Sequence, residues 1–134
     1  MAGVLVVDDE REVRALVRRV VEREGHEVVE ASDGVEALEM LDKKKDIRLA
    51  LVDVVMPNMN GVELMQRMQD DYSDTKIVTV SAFGTSWICP TELAVEASLT
   101  KPFDLNDLRT VLRRLLGNSA PTRPSRTKRR PRRK

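Results

Sequence analysis

Three carboxylates, a hydroxyl and an ammonium each stand directly after a short aliphatic run in this chain. Asp8 and Asp9 follow Val4-Leu5-Val6-Val7, Asp53 follows Leu49-Ala50-Leu51-Val52, Ser81 follows Ile77-Val78-Thr79-Val80, and Lys101 follows Ala97-Ser98-Leu99-Thr100. Each alone is ordinary: an Asp-Asp pair is usually a solvated turn, a serine after a strand usually caps a helix, and Lys-Pro is a common boundary. Gathered on one rim, they permit only narrow chemistry. Clustered carboxylates repel, and their proton affinities rise unless a cation sits among them. No histidine or cysteine joins the group, so the expected cation is hard and oxygen-seeking: Mg2+, held by a few carboxylates and several waters. A carboxylate in such a site can attack phosphorus and become an aspartyl-phosphate. Mg2+ and the Lys101 ammonium would neutralise the oxygens of the transferring group, and the Ser81 hydroxyl would donate to one of them.

That convergence requires the runs to be strands of one sheet. The three strongest, 4–7, 49–52 and 77–80, are nearly continuous aliphatic stretches, the pattern of parallel strands covered on both faces. Glu27-Val28-Val29-Glu30 and Ala97-Ser98-Leu99-Thr100 are more polar and suit the edges. Helical spacing fills the gaps. Val13, Leu16, Val17, Val20 and Val21 recur at i, i+3, i+4, i+7 and i+8 before Gly25, which marks a helix end. Asp33 with Glu36 forms a start signal ahead of Ala37, Leu38 and Leu41. Val62, Met65 and Met68 mark a third helix, with Leu64 on its flank. Leu105, Leu108, Val111, Leu112 and Leu115 mark the last, between Asp104 and Gly117. Thr85 to Ala94 is the poorest helical segment, because Pro90 interrupts it. Five strands alternating with helices predict an α/β domain with right-handed crossovers. In such sheets ligands bind beyond the carboxyl ends of the strands, where the five site residues stand.

Composition sets outer limits. A chain of 134 residues holds one domain with a real core. Its 41% hydrophobic content supports packing, and with only 3% aromatics that core is aliphatic. No apolar run approaches the roughly 20 residues of a membrane span, and no secretory signal precedes the first strand. The single Cys89 can form no internal disulfide; a cytoplasmic setting is the expectation. The net charge of +1 conceals a division. Ser119 to Lys134 hold eight of the 23 basic residues and no acid, leaving residues 1–118 with 15 basic and 22 acidic side chains, a net −7. We therefore divide the chain into a folded body, 1–118, and a basic, Pro/Arg-rich tail, 119–134, expected to be a disordered tail or linker. Without an aromatic residue the tail offers no base stacking. Any contact with nucleic acid would be weak, nonspecific and salt-dependent.

The chain resembles the receiver domains of response regulators in two-component signalling. The likeness rests on Val4-Leu5-Val6-Val7-Asp8-Asp9-Glu10, Val52-Asp53-Val54-Val55-Met56-Pro57-Asn58-Met59-Asn60-Gly61, Val80-Ser81-Ala82 and Leu99-Thr100-Lys101-Pro102-Phe103-Asp104, and covers about residues 3 to 116. It implies a flavodoxin-like, doubly wound five-stranded parallel sheet in the order 2-1-3-4-5, an order that is a standard example of this fold class. It implies that Asp53 accepts a phosphoryl group from a sensor histidine kinase or histidine phosphotransfer protein. Asp9 and Asp53 would bind Mg2+ directly, Asp8 mainly through water, and the backbone carbonyl of Val55 would add a ligand. Ser81 and Lys101 would contact the phosphoryl group, and the Lys101-Pro102 bond is often cis in such domains. The domain would be a signalling switch rather than a classical enzyme, catalysing only its own phosphoryl transfer and slow self-dephosphorylation.

Two departures stand out. Three residues before Lys101, where such domains usually carry Tyr or Phe, stands Ser98, and the stretch between Ser81 and Lys101 holds Trp87, Cys89 and Pro90. The resemblance thus implies a complete site with an unusual output face. A phosphohydrolase using an aspartyl-phosphate would want an acid two residues beyond the nucleophile, where Val55 stands. Nucleotide binding would want a glycine-rich turn after the first strand, which is missing. The remaining rival is a degenerate receiver acting as a phosphorylation-independent scaffold.

Overall fold

A computed structural model describes residues 3–44, 46–54, 61–82 and 93–117. Along these run β1 (Gly3–Val7), α1 (Arg11–Arg23), β2 (Glu27–Ala31), α2 (Gly34–Lys43), β3 (Ile47–Asp53), α3 (Gly61–Asp71), β4 (Lys76–Ala82), β5 (Ala97–Lys101) and α4 (Leu105–Leu116). All five strands are parallel, in the order β2-β1-β3-β4-β5. The polar runs form the edges, as their composition demands.

Strand periodicity divides the core in two. Val4 and Val6, Leu49 and Leu51, Val78 and Val80, and Leu99 pack under Val17, Val20 and Val21 of α1 and Leu108 and Leu112 of α4. The intervening residues, Leu5, Val7, Ala50, Val52 and Ile77, face Ala37 and Leu41 of α2 and Leu64, Met65 and Met68 of α3. Burying a single aliphatic side chain of this size contributes roughly 1.5–3 kcal/mol, and both faces are filled with them. The same alternation carries past the strand ends. Asp8, Asp53 and Lys101 continue the parity of the face under α1 and α4, whereas Ser81 continues that of Ile77 and Thr79.

Two apolar assignments from helical spacing change places. Leu16 is 44% exposed although it fits the stripe of α1, because Val17, Val20 and Val21 already fill the sheet-facing side. Leu64, expected on a flank, is fully buried, because α3 meets α2 as well as the sheet. The helix-start signal at Asp33 and Glu36 forms in a shifted version. Asp33 accepts from the Glu36 amide at 2.8 Å, while Glu36 reaches back to the amide and hydroxyl of Ser32 at 2.6 and 2.9 Å. Asp104 caps α4 by accepting from the Asn106 amide at 2.7 Å. Gly25 and Gly117 take positive φ, 93° and 75°, just past α1 and α4, a conformation glycine adopts without penalty. The expected weak helix from Thr85 falls mostly outside the described residues, and its last residue, Ala94, is not helical.

Candidate functional site

The carboxyl ends of β1, β3 and β5 meet at one point. Asp8, Asp9 and Asp53 each present a carboxylate oxygen, and the three oxygens lie within 4.8 Å of one another. Lys101 enters from β5. Its Nζ donates to Asp8 Oδ2 at 2.8 Å, to Glu10 Oε1 at 2.8 Å and to Asp53 Oδ2 at 3.2 Å. The Asp8 and Asp53 side chains are only 4% and 8% exposed, so their charges require a partner inside the fold. Burial disfavours the Lys101 ammonium. Hydrogen bonds to Asp8 and Glu10, with the charges of Asp8 and Asp53, outweigh that penalty and raise its proton affinity above the ordinary lysine range. The lysine is a fixed positive charge.

Local structure accounts for each placement. β1 ends when the Asp8 amide bonds to the Ala31 carbonyl of β2 at 3.1 Å, and Asp8 Oδ1 then accepts from the Glu10 amide at 2.8 Å, a turn short aspartates favour. Asp53 is the last residue of β3, and the Val54 amide continues the pairing to the Val80 carbonyl. α3 begins hard against this point. A Cβ on Gly61 would lie 2.5 Å from Val54 Cα and 2.8 Å from the Asp53 carbonyl oxygen, so only glycine allows the approach. Lys101 is followed by a cis peptide to Pro102, and the partly buried Phe103 packs against the core cluster beneath α1 and α4.

Ser81 lies half-buried on β4 opposite Thr100, at the same rim but on the other side of the sheet from Lys101. Asp9 is exposed. Val55, whose backbone carbonyl is an expected metal ligand, lies outside the described residues, as do Trp87 and the tail from 118 onward. Two residues at the site escaped the sequence reading of its chemistry. Glu10 holds Lys101 from the exposed side. Arg14, from the second turn of α1, donates to the Asp8 backbone carbonyl. Glu10 was signalled by its place beside the aspartate pair; nothing in the spacing singled out Arg14.

Comparison with known proteins matches residues 4–113 to the response regulator receiver domain model. The chain belongs to that family. It is 34% identical over 121 residues to a chemotaxis protein CheY homolog of Campylobacter jejuni, covering 87% of this chain and 93% of that one. It is 29% identical over 115 residues to sporulation initiation phosphotransferase F of Bacillus subtilis, covering 84% and 92%. Its 34% identity to the transcriptional regulatory protein CpxR of Escherichia coli spans 89% of this chain but only 51% of CpxR, so the chain matches about half the length of that relative. Among solved structures, the response regulator protein TrrA of Thermotoga maritima in complex with Mg(2+)-BeF has a TM-score of 0.75 at 28% identity, covering 86% of this chain and 99% of TrrA. CheY4 of Vibrio cholerae has a TM-score of 0.73 at 34% identity, covering 86% and 98%. Receiver domains of this family are signalling switches of two-component systems, and the flavodoxin-like topology agrees.

The donor set suits the cation such a domain uses. Three carboxylates without nitrogen or sulfur select a hard divalent ion such as Mg2+ over zinc or copper, and they sit close enough to share it. Among the described residues, no helix is long and apolar enough to cross a membrane.

Proposed function

We propose that this receiver domain takes a phosphoryl group onto Asp53 from a phosphohistidine, on a sensor histidine kinase or a histidine phosphotransfer protein, and so regulates a partner. The carrying observation is Lys101, whose ammonium is bonded at once to Asp53, Asp8 and Glu10. In the reaction an Asp53 oxygen attacks phosphorus and the phosphorus–nitrogen bond breaks, its electron pair returning to the imidazole. Lys101, already charged and already on Asp53, offsets the negative charge spread over the phosphoryl oxygens without reorganising. Ser81 donates its hydroxyl to one of those oxygens. Asp8, Asp9 and Asp53, with the Val55 carbonyl, would hold Mg2+, which when bound supplies the divalent charge that screens attacking and transferring oxygens from each other.

The switch belongs to residues 1–118, and the basic segment 119–134 serves as a tail or linker able to make weak, nonspecific contact with nucleic acid. A cytoplasmic location, where kinase and phosphotransfer partners reside, completes the proposal. Acetyl phosphate with Mg2+ tests it directly. The parent should gain one phosphoryl mass, and Asp53→Asn should gain none. Equal labelling of the two proteins would remove Asp53 from its role, and a parent that never labels would favour the scaffold reading.

A further inference from the structure

The Asp8 main chain and side chain are tied at four points. Its amide is taken by Ala31, its Oδ1 by the Glu10 amide, its Oδ2 by Lys101, and its carbonyl by Arg14 Nη1. The first three ties are the strand, the turn and the site itself. The fourth comes from a side chain that no part of the proposed chemistry uses.

Arg14 reaches that carbonyl from inside an ion-pair chain. Its Nε bonds Glu30 Oε1 on β2 at 3.1 Å, and its side chain is only 15% exposed. The other Glu30 oxygen is held by Arg18 Nη1 at 2.6 Å, and Arg18 in turn bonds Glu22 at 3.1 Å. The hydrogen bond from Arg18, and then that from Arg14, hold the Glu30 carboxyl below its usual range against the opposing effect of burial. Glu30 therefore stays charged and keeps the Arg14 guanidinium in place. A guanidinium suits this position because its Nε and Nη donors are fixed in one plane and can serve two acceptors together. The bond to Asp8 is also charge-assisted, hence among the stronger kinds.

The carbonyl that Arg14 grips belongs to the peptide joining Asp8 to Asp9. Fixing its oxygen fixes the plane of that peptide, and with it the direction in which the Asp9 Cα leaves β1. Asp9 is exposed, so packing supplies little to orient it. We infer that Arg14 is a positioning residue of the site: it locks the Asp8–Asp9 peptide so that the two carboxylates stand ready for the same cation. The inference rests on the site being the Mg2+-dependent phosphoacceptor proposed above. Residues that orient ligands without touching the metal typically change affinity by about 10- to 100-fold when removed.

The measurement is Mg2+ binding by titration calorimetry on the full chain, beside thermal melting and acetyl phosphate labelling across Mg2+ concentrations. Arg14→Met should weaken Mg2+ by about tenfold and move half-maximal labelling to higher Mg2+, with the saturating rate largely kept. Arg14→Lys, which keeps the charge but lacks the fixed planar fork of donors, should fall between it and the parent. Arg113→Met is the control, since it breaks a two-bond pair to Glu24 far from the site and should leave Mg2+ affinity unchanged. Parent-like Mg2+ affinity in Arg14→Met overturns the inference. If that variant does not fold, Arg14→Lys decides by the same criterion. A parent that binds no Mg2+ would instead sink the reading of the site, and the inference with it.

Discussion

The buried hydroxyl of Thr79 donates to the exposed hydroxyl of Ser98 across β4 and β5, at 2.7 Å. The two are register partners, and the next pair on the same face is Ser81 with Thr100. Ser98 stands where receiver domains usually carry an aromatic ring, so this strand pair presents a ladder of hydroxyls leading to the rim instead of a bulky side chain.

The ladder has a measurable cost when broken. Thr79 is 1% exposed, and Ser98→Ala removes the acceptor of its hydroxyl. The expected loss is on the order of 1 kcal/mol. Thr79→Val in the Ser98→Ala background removes the orphaned hydroxyl as well and should recover part of it. Urea unfolding of the four proteins gives the comparison. Additive losses would mean that the bond contributes nothing of its own.

Gly61 offers a sharper probe of how the backbone around Asp53 is held. An added methyl would overlap Val54 Cα and the Asp53 carbonyl oxygen, and both are backbone atoms that cannot rotate away. Gly61→Ala should therefore cost about 1–3 kcal/mol and slow labelling by displacing Asp53. Unchanged melting and labelling together would show that α3 can shift without disturbing β3.

How much of this was legible beforehand differs between layers. The strands were readable because a sheet covered on both faces needs continuous aliphatic runs, and the site was readable because the strands of a parallel sheet end together. Lys101 and Asp8 are 93 positions apart, yet they meet because each follows its strand by the same logic. Side-chain exposure around a helix was less legible: Leu16 and Leu64 were misjudged because periodicity gives a stripe, not the neighbours that cover its margins. Arg14 was invisible for a related reason, since its targets lie on two other elements and only the assembled sheet brings them within reach. The roles of Val55 and Trp87 rest on sequence alone, because both fall outside the described residues.

His26 sets a pH dependence away from the site. It is 5% exposed, and among the described residues its Nδ1 has no hydrogen-bond partner. Burial lowers its proton affinity, against a smaller opposing pull from Glu24. A base depressed in the folded state leaves stability untouched while both states are neutral. As pH falls below the unfolded value near 6.5, the unfolded chain takes up a proton that the folded one resists, and stability declines. Melting temperature should fall between pH 7 and about pH 5. His26→Leu should flatten that part of the profile, before the carboxylates begin to protonate. An identical slope in both proteins would assign the decline to other groups.

The lifetime of the phosphorylated state is expected to be long for a receiver. Hydrolysis of an aspartyl-phosphate needs a water in line behind phosphorus, opposite the Asp53 oxygen. The positions two residues beyond Asp53 and two beyond Ser81, the residues proposed to carry and to contact the phosphoryl group, hold Val55 and Phe83. Neither side chain can hydrogen-bond a water and align it for attack; both lie outside the described residues, and the expectation that the Phe83 ring shields the approach rests on sequence alone. Val55→Asn with Phe83→Glu would supply a donor and an acceptor in those places. Decay of the labelled protein, followed after removing acetyl phosphate at constant Mg2+, should quicken by about tenfold in the double variant, a small part of the range positioned acid–base groups bring. The single variants should divide that gain, with the larger share from Phe83→Glu because it both removes the shield and offers the acceptor. Decay that is unchanged or slower in the double variant would mean that access of water is governed by residues other than these two.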